Sequence, residues 1–242
     1  MRLRVLHAPK RPDAPEEYED AAWPSRAPEV LTLPLRIAVA DGATTSSFSG
    51  LWARHLVCAW AEKRLNRDSL LDDVTILARQ WRQEVGNAPL PWFAQEKARQ
   101  GAHAALIGLS VEPDGSWAAL AIGDCCLFVI RENILIEAFP ARHPEALEHN
   151  PYLIGTDVSP ALDEVAREAF GFWQQGDILL LMSDALARWF LESAVAREQT
   201  PWKWLASLDS VASPRAFEAM LRPLRNVGQL QSDDVTLMML DL

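Results

Sequence analysis

Three short stretches of this chain each put an aspartate at the end of a strongly apolar run. Arg36-Ile37-Ala38-Val39-Ala40 runs into Asp41-Gly42, Gly176-Asp177-Ile178-Leu179-Leu180-Leu181-Met182-Ser183 delivers Asp184, and Ser232-Asp233-Asp234 opens Val235-Thr236-Leu237-Met238-Met239-Leu240. A carboxylate at the mouth of a buried strand is expensive to desolvate unless a positive charge neutralises it. Oxygen donors of this kind are what hard divalent cations take. Any one of these aspartates would serve equally well as a turn or helix cap. Three of them, each tied to an apolar strand, point to a shared metal ion.

Two further places carry acidic groups near apolar segments. Glu16-Glu17-Tyr18-Glu19-Asp20-Ala21-Ala22-Trp23 has two readings: a solvated acidic loop, or Glu19 and Asp20 leading into a short strand as outer carboxylates of the same metal site. Gly123-Asp124 interrupts two apolar runs, so Asp124 also projects from a strand boundary. The echo of Asp233-Asp234-Val235-Thr236 at Asp72-Asp73-Val74-Thr75 reads differently, because Ser69 to Asp73 has the acidic character of a helix N-terminus.

The elements that must position these groups follow from periodicity and turn chemistry. Residues 2–8 read as an edge strand, and Leu31 to Ala40 supplies one or two strands broken at Pro34. Ala43-Thr44-Thr45-Ser46-Ser47 offers hydroxyl N-caps to a helix over Phe48 to Leu65. Further helices are expected over Ser69 to Val85, stopped at Gly86-Asn87, and over Trp92 to Gln100. Four strands then follow as a meander: 102–111, 117–122, 125–131 and 134–139. After a loop over 140–162 come strands at 165–173 and 178–183. Helices at 185–196, 201–207 and 214–224 precede the last strand. Helices between strands plus a long antiparallel meander predict an α+β fold, a four-layer αββα sandwich of two mainly antiparallel sheets flanked by helices. In it the carboxylates at 19–20, 41, 124, 184 and 233 could meet at one edge.

Composition narrows the function classes. At 242 residues and 49% hydrophobic, the chain can bury a large core, and it is expected to form a single domain over 1–242. No apolar run reaches the roughly 20 residues of a membrane span, and the first residues lack a signal-peptide core. A cytoplasmic protein without membrane insertion is expected. Cys58, Cys125 and Cys126 read as buried small hydrophobes with no metal-ligand spacing. A net charge of -10 argues against a nucleic-acid partner and suits a site that concentrates cations. The ten tryptophans are therefore expected in the core. His103, His143 and His149 are expected to be satisfied or solvent-facing.

Taken in order, Glu19-Asp20-Ala21, Val39-Ala40-Asp41-Gly42, Gly123-Asp124, Gly176 to Asp184 and Asp233-Asp234-Val235-Thr236 resemble the motifs of the metal-dependent protein phosphatases of type 2C. The resemblance runs from about Arg4 to Leu242 and includes Pro151-Tyr152-Leu153-Ile154-Gly155. It implies a serine/threonine phosphatase acting on phosphoproteins through a binuclear magnesium or manganese centre. By that likeness Asp41 bridges two metals, the Gly42 carbonyl ligates one, and Asp184 and Asp233 ligate the other. Glu19 and Asp20 act through waters, and Asp124 helps hold a third, weaker ion. Asp41, Asp184 and Asp233 would thus be the catalytic set.

The chain departs from that pattern at three points. Ala43-Thr44-Thr45 follows the Asp-Gly pair, and Ala185 follows Asp184 where glycine is usual. The expected phosphate-binding arginine is absent, its place held by Pro15 and Glu16, with Arg11 the nearest candidate. Two functions of different class follow: an active metal-dependent phosphatase, or a silent relative that binds a phosphoprotein or regulatory partner with the same surface. Oligomeric state is not legible in the sequence.

Overall fold

The computed structural model describes residues 1–242 except 45, 47, 90, 148–150, 197–198 and 209–213. Among the described residues, two antiparallel sheets lie face to face. The first contains β1 (Arg2–Ala8), β6 (Cys126–Arg131), β7 (Ile134–Phe139), β10 (Ile178–Met182) and β11 (Val235–Asp241), in the order β1-β11-β10-β6-β7. The second contains β2 (Ala21–Trp23), β3 (Leu35–Gly42), β4 (His103–Val111), β5 (Ser116–Ile122) and β9 (Arg167–Phe172), in the order β2-β3-β4-β5-β9. The short β8 (Ile154–Gly155) pairs with β4.

Each sheet is covered on both faces, which is why its strands read as continuous apolar runs rather than alternating ones. Side chains still alternate between two cores. Ile37, Val39, Ile107, Leu109, Leu179, Leu181, Met238 and Leu240 fill the space between the sheets. Ala38, Ala40, Ala104 and Leu106 face α1 (Ser49–Ala61) and α2 (Leu70–Asn87) through Trp52, Leu56, Leu77 and Trp81. On the other side, Leu180, Met182, Leu237 and Met239 meet α5 (Asp184–Leu191), α6 (Pro201–Ala206) and α7 (Pro214–Asn226) through Phe190, Trp202, Leu205 and Phe217. The result is the expected αββα layering.

Several details differ from the sequence reading. The meander does not stay in one sheet: β4 and β5 belong to the second, β6 and β7 to the first. The chain crosses at Gly123, whose φ of +91° only glycine takes without strain and whose Cβ would lie 2.6 Å from that of Ala105. Strand β3 begins after Pro34, so the Leu31–Ala40 stretch yields one strand. Helix α2 runs through Gly86-Asn87 instead of stopping there, whereas the helix expected over Trp92 to Gln100 is present as α3 (Trp92–Arg99). The helix expected to Ala196 is α-helical only to Leu191 and then widens into a π turn over Glu192–Ala196. The turn before α1 uses no side-chain cap: Ser46 Oγ donates to the Ala43 carbonyl and accepts His103 N–H, pinning the turn to β4. Thr45, Ser47 and His149 lie outside the described residues. Most tryptophans are core residues, but Trp92 and Trp23 are 81% and 40% exposed, because α3 and the three-residue β2 sit at the surface.

Candidate metal centre

Pairing register explains how carboxylates from Asp41 to Asp233, nearly two hundred positions apart, meet. In the first sheet Ala8 pairs with Val235 and Cys126 with Met182, so the start of β11, the end of β10 and the start of β6 lie at one end. In the second sheet Gly42 pairs with Ala104, Ala21 with Ala40 and Ile122 with Leu106, bringing the end of β3, the start of β2 and the end of β5 to the corresponding end. Asp41, Gly42, Asp124, Asp184 and Asp233 line one cavity of about 200 Å³ there, with Thr44, Leu153 and Arg188.

The electrostatics are those of crowded like charges in a dry place. Burial, then the charges of Asp20, Asp184 and Asp124, lift the Asp41 carboxyl well above its ordinary range. Asp124 is pushed up to about 7 by burial and by Asp184, with Arg188 acting against the shift. Asp233 is raised by burial and by Asp184 and Asp234, opposed by its backbone hydrogen bond to Asp234 and by Lys10. Asp20 is buried, 6% exposed, and is pushed up to about 8, chiefly by burial. One Asp20 oxygen accepts the Thr236 hydroxyl at 2.7 Å, whereas the other is buried with no partner among the described residues. Tyr18 closes this chain of groups with a hydrogen bond to Thr236.

Glu19 and Asp20 are not a solvated loop. Both backbone and side chain of Glu19 are held: its N–H donates to Asp234 at 2.8 Å, and its carboxylate accepts Ser49 Oγ at 2.6 Å and Lys10 Nζ at 3.1 Å. Asp234 also accepts the Lys10 N–H at 2.7 Å. Burial works against the Lys10 charge, but Glu19, Asp234 and Asp233 outweigh it and raise its pKa. Lys10 Nζ further donates to Thr44 on the cavity wall, at 3.1 Å. The approach of Glu19 to β3 depends on Gly42, where a Cβ would fall 2.6 Å from the Glu19 carbonyl oxygen.

A divalent cation fits this donor set on chemical grounds: aspartate oxygens with raised proton affinity, an orphaned buried Asp20 oxygen and a net excess of negative charge. Among the described residues, no three or more His, Cys, Asp or Glu side chains close on one point as a ready-made cage. The acids line a cavity instead, which suits ions that keep several waters.

Arg11, the arginine offered by the sequence for phosphate, is exposed and pairs with Glu17 at 3.2 Å and Asp13 at 3.4 Å, away from the cavity. Arg36 stacks on Trp60 and donates to its carbonyl. The arginine that reaches the cavity is Arg188, which donates to the Leu147 carbonyl at 2.6 Å. Sequence reasoning missed Arg188 and Lys10. The i, i+4 spacing of Asp184 and Arg188 on one helix was a usable signal for the first; nothing local marked the second. Ala185 lies in α5 with no left-handed backbone, so the substitution of the usual glycine is unstrained. His103 and His143 do not line the cavity.

Two face-to-face antiparallel sheets flanked by helices, with an acidic cavity at the sandwich edge, match the fold of the protein phosphatase 2C family. The profile of the protein phosphatase 2C family matches residues 28–235, and the chain belongs to that family. No curated protein matches the sequence. Among solved structures, the chain is similar to the serine/threonine phosphatase Stp1 of Staphylococcus aureus, with 14% identity, a TM-score of 0.61 and 99% of this chain against 94% of that one. It is similar to PstP/Ppp of Mycobacterium tuberculosis, with 17% identity, a TM-score of 0.60 and coverage of 100% and 99%. PppA of Pseudomonas aeruginosa, described as a key regulatory component of T6SS, matches with 19% identity, a TM-score of 0.56 and coverage of 98% and 96%. At these identities the solved structures establish the fold. Among the described residues, no helix is long and apolar enough to cross a membrane.

Proposed function

We propose that this chain is a magnesium- or manganese-dependent protein phosphatase that hydrolyses phosphoserine and phosphothreonine esters in proteins, working as one unit across residues 1–242. The observation that carries the reading is the convergence of Asp41, Asp124, Asp184 and Asp233 on one cavity, with Asp20 buried behind them. Asp41, Asp184, Asp233 and the Gly42 carbonyl would hold two ions, with Glu19 and Asp20 contacting them through water. When bound, such ions acidify water and neutralise phosphoryl charge.

The chain's own groups do the positioning. Thr236 fixes one Asp20 oxygen, Asp234 clamps the N-terminal segment through Lys10 and Glu19, and Ser49 and Lys10 orient the Glu19 carboxylate. Leu153 and Pro151 supply apolar wall to the cavity beside the acids. No side chain need act as nucleophile: Cys125 and Cys126 are buried and burial raises both thiols, so neither is available as a thiolate.

A second reading, a phosphoprotein-binding relative without turnover, is favoured by one observation: Arg11 is occupied by surface acids. Hydrolysis of p-nitrophenyl phosphate with manganese, abolished by chelation and by Asp41→Asn, supports the enzyme. Manganese binding with no turnover of this ester or of a phosphopeptide supports the second reading, and no manganese binding overturns both.

A further inference from the structure

The cavity already contains a positive charge of its own. In α5 every residue except Asp184 and Arg188 is buried, so the helix presents to the cavity one polar stripe, one turn long, made of a carboxylate and a guanidinium. Arg188 is anchored by its Nη2 bond to the Leu147 carbonyl, which fixes the planar group against the cavity wall. Among the described residues its Nε and Nη1 donate to no protein acceptor. It lines the same cavity of about 200 Å³ as Asp41, Asp124, Asp184 and Asp233, so its charge acts on those carboxylates at short range. A fixed cation beside Asp124 repels a divalent ion at the same place and reduces the negative charge that would attract one.

We propose that Arg188 is the built-in cation of this site: it stands where the resemblance to the family implies a third metal ion beside Asp124, so the chain takes two ions, and it supplies the guanidinium that holds a phosphoryl oxygen. The inference rests on the two-metal reading above. It also accounts for the missing N-terminal arginine, since a fork of N–H donors pinned by a backbone carbonyl can meet a phosphate from the α5 side of the cavity.

The test is a manganese titration of the full chain, counting bound ions by the loss of the free-ion paramagnetic resonance signal, with folding of each variant checked by circular dichroism. The parent should bind two ions. Arg188→Ala should bind a third, more weakly than the first two, and Arg188→Lys should remain at two because the charge is kept. At saturating manganese, inorganic phosphate should bind Arg188→Lys roughly tenfold more weakly than the parent, the loss expected when a charge-assisted donor pair becomes a point charge. Three ions in the parent, two in a folded Arg188→Ala, or equal phosphate affinity in parent and Arg188→Lys would each overturn the proposal while leaving the two-metal phosphatase intact. A parent that binds no manganese overturns both.

Discussion

Asp234 takes the backbone N–H of Glu19 on one carboxylate oxygen at 2.8 Å, across 215 positions of sequence. Its other oxygen takes the N–H of Lys10 at 2.7 Å, so one buried side chain closes the N-terminal segment onto the start of β11. Hydrogen bonds to a charged acceptor contribute about 1.5–3 kcal/mol each. Asp234→Ala should therefore lose about 3 kcal/mol or more in urea unfolding and loosen Glu19. Asp234→Asn, which keeps one acceptor oxygen, should lose about half as much. Wild-type stability in Asp234→Ala would show that the clamp contributes nothing.

Metal removal should destabilise the protein, because Asp20, Asp41, Asp124 and Asp233 then repel one another unscreened. Millimolar manganese should raise Tm by mass action, by about 2.7 kcal/mol of stability at a hundredfold excess over Kd. Asp41→Asn should weaken binding more than Asp233→Asn. An unchanged melting curve with metal would argue against the site.

The metal-free protein should become less stable as pH rises. A carboxyl whose folded pKa lies above its unfolded value near 4 keeps its proton longer in the native state, so the native state binds more protons between the two values and stability falls as pH climbs. For Asp20 and Asp124 that window runs from about 4 to about 8 and about 7 respectively. Asp20→Asn should flatten the dependence, raising metal-free stability at pH 8 while weakening manganese binding. Chemical denaturation from pH 5 to 8 in the presence of chelator measures it, and a stability that rises over this range would contradict the assignment.

Two glycine substitutions should move in opposite directions. Gly42→Ala drives a methyl to within 2.6 Å of the Glu19 carbonyl oxygen and 2.8 Å of the Ser49 carbonyl carbon, both backbone atoms. It should cost about 1–3 kcal/mol by overpacking. Gly86→Ala, in α2 with open space around it, should stabilise by about 0.5–1 kcal/mol through helix propensity. Thermal melts of the pair separate site crowding from a general intolerance of glycine replacement.

Arg11→Ala should leave KM for p-nitrophenyl phosphate unchanged and stability within about 0.5 kcal/mol, since its partners are exposed surface acids. A several-fold rise in KM would mean that Arg11 swings into the cavity when substrate binds.

What the sequence determined by itself was the strands other than β8, which lies in the stretch read as a loop, and the residue types at their ends. Apolar runs closing on Asp41 and Asp184, or opening after Asp233, are local patterns, and burial on both faces makes them continuous and easy to read. Tertiary structure decided what those ends face. Which sheet a strand joins depends on crossings such as Gly123, where one left-handed residue sends the chain from β5 to β6 and leaves Asp124 at the cavity. Local pattern cannot register that choice, because β4 to β7 have the same periodicity whether they form one sheet or two. The same holds for the cations. Arg11 is nearer in sequence to Glu19 than Arg188 is, yet local acids hold it at the surface, whereas the rigid rise of α5 carries Arg188 into the cavity with Asp184. Charges are placed by the elements that carry them, and the directions of those elements are fixed only when the three cores are packed.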